Sequence, residues 1–104
     1  MPAAQTGKGE LMFEERTTDG QSAAVEVEGY TNIIYQGDFN GGTAQLQLSR
    51  DKAVWIDVLD SDFTANAAFT IFTGKLWIRT DLNGTSAAAD FTSAAVPAPL
   101  LGRN

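Results

Sequence analysis

Three aspartates, Asp57, Asp60 and Asp62, spaced D-x-x-D-x-D, are the residues best placed to do chemistry. Carboxylates this close together can hold a calcium ion or share acid and base roles in glycoside hydrolysis. A calcium loop, however, alternates its oxygen ligands around a sharp glycine turn and closes on a glutamate, and none follows here. A glycosidase needs a cleft around its acid pair, and a short loop on a chain of 104 residues offers none. The cluster therefore reads first as a solvated loop, with a small hydrolase as the outlying alternative. The chain has no histidine and no cysteine. That removes the commonest general base, the commonest transition-metal ligand, and any disulfide or thiolate site. We expect no enzyme and no cofactor.

Other motifs resolve in the same direction. Gly37, Gly41 and Gly42 look like a phosphate loop but lack the following Lys-Ser/Thr and a helix N-terminus to hold the phosphate, so they read as hairpin glycines. Asn83-Gly84-Thr85 fits a glycosylation sequon, yet the start MPAAQTGKGE has no leader pattern that would bring it to that machinery. Trp55 and Trp77 fall opposite the better apolar faces of their strands. Each is either an exposed aromatic, able to stack on a sugar or anchor a protein, or is covered by a doubly buried sheet or a bulge. Trp55 is assigned to the covered class, because tryptophan is mostly buried on average. Trp77 lies between outward-looking Lys75 and Arg79, and the three make a candidate protein interface. Tyr30 and Tyr35 read as core or strand-edge residues.

Charge narrows the partners. The formal net charge is −6, and the seven basic residues (Lys8, Arg16, Arg50, Lys52, Lys75, Arg79 and Arg103) are scattered. A nucleic-acid backbone needs them concentrated on one surface, and only Arg50/Lys52 and Lys75/Arg79 come near, so no nucleic-acid partner is expected. No apolar run is long enough to span a membrane, and we expect a soluble protein made in a cytoplasm.

The elements that would position these residues are strands. In residues 43–49, Ala44, Leu46 and Leu48 share one parity against Thr43, Gln45 and Gln47, the period of two of a half-buried strand. Residues 10–17 and 21–28 follow suit, the second with Ala23, Val25 and Val27 on one face. Residues 30–36 are more continuously apolar, as in an interior strand. In residues 53–59, Val54, Ile56 and Val58 oppose Trp55 and Asp57; in 68–73, Phe69 and Ile71 share a face. Gly74 reads as a turn into 75–80, where Leu76 and Ile78 oppose Trp77 and Arg79, and a weak last strand covers 87–95. Asp19-Gly20, Asn40-Gly41 and Asn83-Gly84 supply hairpin turns, and Ser49-Arg50-Asp51-Lys52 another. Residues 60–66 read as a longer connection, with Phe63 plugging the space beneath it. About eight short strands at this spacing predict one all-β domain over residues 10–95, a compact antiparallel sandwich or jelly roll. Residues 1–9 and 96–104 read as flexible arms, with Leu100 and Leu101 as apolar docking candidates in the second.

Across residues 41–73 the chain resembles a group of small tailed-bacteriophage virion proteins with the pattern G-T-A-x-L-x-x-S-x-D, W-x-x-V, F-T-A-[ND]. It carries Gly42-Thr43-Ala44-Gln45-Leu46, Ser49, Asp51, Trp55-Ile56-Asp57-Val58 and Phe63-Thr64-Ala65-Asn66. The usual Asp-Gly turn is replaced by Asp51-Lys52. The resemblance implies a β-sandwich decoration (cement) protein on the outer surface of the virion, bound to the major capsid protein and associated with itself as a homotrimer. A neck or tail accessory, or a glycan-binding receptor module using Trp55, Trp77 or Tyr30, is the alternative. The matched residues are turns and core positions and carry over no binding site.

Overall fold

A computed structural model describes residues 10–85 and 89–97. The alternation written into the sequence becomes seven strands: β1 (Glu10–Arg16), β2 (Gly20–Gln21), β3 (Val25–Asp38), β4 (Thr43–Ser49), β5 (Ile56–Phe63), β6 (Ala67–Asn83) and β7 (Asp90–Pro97). All pair antiparallel in one sheet of order β1-β7-β3-β6-β4-β5, with β2 beside β6. Among the described residues there is no helix. The expected all-β antiparallel class is therefore the fold, with seven strands in place of about eight.

The difference in number has a definite cause. Residues 68–73 and 75–80 do not form a hairpin about Gly74; both lie in β6, which is 17 residues long. Val27 pairs with Leu76 and Gly29 with Thr73, so three steps along β6 match two along β3. That single bulge moves the inward set of β6 from odd residues (Phe69, Ile71) to even ones (Leu76, Ile78). In sequence, such a parity change looks like the end of a strand. Opposite the bulge, Gly29 takes a φ of 84° that lets β3 continue unbroken. The expected strand 21–28 splits instead: its first residue belongs to β2 and its last four to β3.

β6 pairs with β3 through Ile78 and with β4 from Trp77 to Asn83, so one strand serves both halves of the sheet. The sheet folds over on itself into a sandwich-like body. Thr80 Oγ1 on β6 donates to Ser93 Oγ on β7 across 2.9 Å, although these strands are not neighbours. Between the halves lie Met12, Phe13, Val25, Val27, Ile33, Tyr35, Leu46, Ile78, Leu82 and Phe91. The rings meet edge to face or tilted: Tyr35 lies 5.7 Å from Phe91 and 5.5 Å from Phe69, and Phe91 lies 4.8 Å from Phe39. Each such pair contributes about 0.5–1.5 kcal/mol beyond its area. Most buried polar groups are matched, Thr73 Oγ1 being the exception among the described residues. Ser93 Oγ also accepts from Phe13 N, Ser22 Oγ accepts from Thr80 N, and the Tyr35 hydroxyl donates to the Ser61 carbonyl. Burial first, and the Asp62 carboxylate second, push that hydroxyl well above its ordinary 10.0.

Phe63 closes β5 and does not plug a loop; its ring stacks on Phe69 at 5.4 Å, and the connection shrinks to residues 64–66. The Asn-Gly turn at 40–41 forms, with φ of 46° and 85° at Asn40 and Gly41 and Gly42 N donating to the Phe39 carbonyl, but it is not the expected hairpin: it joins β3 to β4, and both pair with β6 instead of with each other. The expected hairpins at Asp19-Gly20 and Asn83-Gly84 are corrected in the same way, since β1 does not pair with β2 nor β6 with β7. At Gly37, φ is 119° and a Cβ would collide with the Asp90 carbonyl oxygen, so only glycine lets β3 approach β7 there. β7 runs to Pro97, opposite Thr31, two residues into the expected tail. Residues 1–9 and 98–104 lie outside the described residues.

A carboxylate ties the β1–β2 turn to the end of β6. Asp19 accepts from Gly84 N, Thr85 N and Thr85 Oγ1 at 2.8–3.0 Å, and Arg16 donates to the Thr18 and Asp19 carbonyls. The Thr85 amide, then the Thr85 hydroxyl, hold the Asp19 carboxyl below its ordinary 3.8. Being a stronger acid folded than unfolded, it stabilises fully above 3.8, and that contribution is lost as pH falls through the lower folded value. Asp19→Asn should therefore flatten the fall of melting temperature below that pH. Melting curves of both proteins through the acid range check this; parallel pH profiles would count against the tie.

Candidate docking surface on the outer strand

β5 is the outermost strand next to β4 and has no partner on its other side among the described residues. Its approach is rigid. Ser49 Oγ accepts from Asp51 N and Lys52 N, while Asp51 Oδ1 accepts from Ala53 N, Val54 N and Ser49 Oγ. The Ala53 and Val54 amides, ahead of the Ser49 hydroxyl, hold the Asp51 carboxyl below its ordinary 3.8. Lys52 sits at φ 65°, which finishes the turn and delivers Val54 to the surface.

Further on, the ladder slips. Asp57 pairs with Gln47 and Asp62 with Gln45, leaving Val58 to Ser61 opposite Leu46 alone. Asp60 adopts φ 59° in this bulge. Ser61 Oγ repairs the ladder by accepting from Leu46 N and Gln45 Nε2 and donating to the Val58 carbonyl. Val58 turns in against the core, and Leu59 is thrown outward at 86% exposure. Val54 and Ile56, earlier in the same segment, are also exposed, at 65% and 59%. Leu48, Ser49, Arg50, Asp51, Val54 and Ile56 line a cleft of about 240 Å³. The result is three exposed apolar residues on and just before a braced outer strand, interspersed in sequence with Asp57 and Asp60 and preceded by Arg50 and Lys52. Large exposed apolar groups held this firmly mark interaction surfaces.

The expected buried set Val54, Ile56 and Val58 is thus corrected: only Val58 packs on the core. The three aspartates do not assemble a centre. Asp57 and Asp62 lie opposite glutamines, Asp60 rides the bulge, and among the described residues no group of three acids is arranged to hold a metal. A second concavity, about 540 Å³, opens between residues 37–41 and 64–66, with Asp38 its one charged residue and Gly37 N donating to Asn66 Oδ1.

Trp77, Lys75 and Arg79 do come together on one outward face, and each is already engaged. Lys52 Nζ stands 4.3 Å from the Trp77 ring centre and the Arg79 guanidinium 4.2 Å from that of Trp55. Arg79 Nε donates to Gln47 Oε1, Gln47 Nε2 donates to Asp57 Oδ1, and Lys75 lies 3.7 Å from Glu26. Both indoles are half-buried beneath these cations. Leu100 and Leu101 lie outside the described residues. Residue patterns did not single out Val54, Ile56 and Leu59 as surface; Leu59, apolar in a run of aspartates, was the available signal. No family model matches the chain, and no curated protein or solved structure is significantly similar to it.

Proposed function

We propose that this chain is a non-catalytic decoration protein that binds the outer surface of an assembled phage head, with the major capsid protein as its partner. The observation that carries the reading is the exposure of Val54, Ile56 and Leu59 along the outer strand, set by a braced turn and a repaired bulge. Burying three such side chains in a seam between capsid subunits is worth about 1.5–3 kcal/mol each before the losses of association. The charges that flank these residues in sequence, Asp57, Asp60 and Asp62 after Ile56 and Arg50 and Lys52 before Val54, orient the docking. A seam exists only in the assembled shell, so binding there stabilises that state by linkage, and many copies multiply a modest affinity into a large effect. The resemblance of residues 41–73 to virion proteins supports the same reading.

The glycan-binding alternative is less well supported, because a sugar needs an open indole face and Lys52 and Arg79 each cover one. Counting copies of this chain in purified particles tests the proposal. Hundreds per particle are expected; six or twelve would place it at the neck or tail and overturn the decoration role.

A further inference from the structure

We infer that a second copy of this chain packs on the outward face of β1, β7, β3 and the first half of β6. Cross-strand pairing lines up Leu11, Ala94, Ile34 and Ala68 in one row across the four strands. The next row is Val96, Asn32 and Thr70, and beyond it Tyr30 faces Phe72 with ring centres 4.5 Å apart. Leu11, Tyr30 and Phe72 are 46%, 44% and 67% exposed. None of these side chains is charged. The polar pair within the rows satisfies itself, since Thr70 Oγ1 donates to Asn32 Oδ1 at 2.6 Å. An antiparallel sheet with one wet face normally lines it with polar and charged residues. Here the rows themselves carry no charge; Asp38 and Asp90 stand beyond one end and Glu26, Glu28 and Lys75 beyond the other, with Glu14 and Glu15 exposed further along β1.

The charge distribution selects the occupant. At net −6, two copies repel over most of their surfaces, and the uncharged rows of this face let them meet with the acids kept to its margins. Two such faces pack as the two sheets of a sandwich do, about 10 Å apart, with Phe72 and Tyr30 as the anchors. The face lies away from the Val54/Ile56/Leu59 cluster, on strands that do not pair with β5. The inference therefore does not rest on the shell reading.

Sedimentation equilibrium of the full chain, over a wide concentration range, tests it. The parent should show a mass of more than one copy. Phe72→Glu should weaken association about thirtyfold or more, the loss expected on removing an interface anchor. Ala68→Glu, a second exposed site in the same rows, should do likewise, with both variants keeping the parent's circular dichroism. Leu59→Asp should associate as the parent does, and particle binding plays no part in the readout. A parent that is monomeric throughout, or association that survives both Glu substitutions, overturns the inference. So does a chain ending at Pro97 that associates when the full chain does not, because the chain's own last seven residues would then be the cover.

Discussion

Phe91→Ala is expected to lower the melting temperature by about 15–30 °C. The ring is fully buried and touches Phe13, Tyr35 and Phe39. Truncating a buried Phe removes about 3–5 kcal/mol, against a total of about 5–15 for a domain of this kind. Each kcal/mol shifts the midpoint of a domain this size by about 4–8 °C. The site is poorly able to collapse. On the β3 side Phe91 is paired with Gly37, which has no side chain to move into the space and whose backbone is pinned against Asp90. Thermal and urea unfolding followed by circular dichroism provide the measurement. A midpoint within a few degrees of the parent would mean that the aromatic cluster is not what holds the two halves together.

Leu59→Asp should leave stability unchanged within about 0.5 kcal/mol, because the side chain is solvated in the isolated protein. On particles it should lower affinity about thirtyfold or more, the penalty for replacing a central apolar anchor with a charge. Occupancy measured on particles stripped of the protein and re-exposed to it reads the effect directly. Lys75→Ala is the matched control. Its ion pair with Glu26 has both partners well exposed, at 66% and 43%, and such a pair is worth little. If Leu59→Asp rebinds like the parent, the outer-strand cluster is not the shell contact.

Local rules were legible wherever neighbours in sequence decide the outcome. Ala44 and Leu46 are buried as their alternation requires, and the Asn40-Gly41 turn has the backbone its residues demand. Two long strands were harder to see because their continuity depends on a partner: the Gly29–Thr73 pairing absorbs the extra residue that otherwise looks like a break at Gly74. The docking cluster was hidden for a related reason. Alternation at Val54, Ile56 and Val58 tells which residues share a face, but coverage of that face depends on a neighbour that an outermost strand lacks. Likewise Lys52 and Arg79 lie 25 and 24 residues from the indoles they cover, and no local pattern links them.

The uninterrupted run of β6 through its bulge has a mechanical meaning. It is hydrogen-bonded to β3 on one half and to β4 on the other, so the molecule has no hinge line at which one half could swing against the other. A partner held at the outer strand would thus be connected to the far face through a stiff strut, with little internal motion left to freeze on docking. A load applied at one end reaches the other as shear along many hydrogen bonds at once, and not as a peel that opens them one by one. For a fastener spanning a joint, that is the difference between a rivet and a strip of tape.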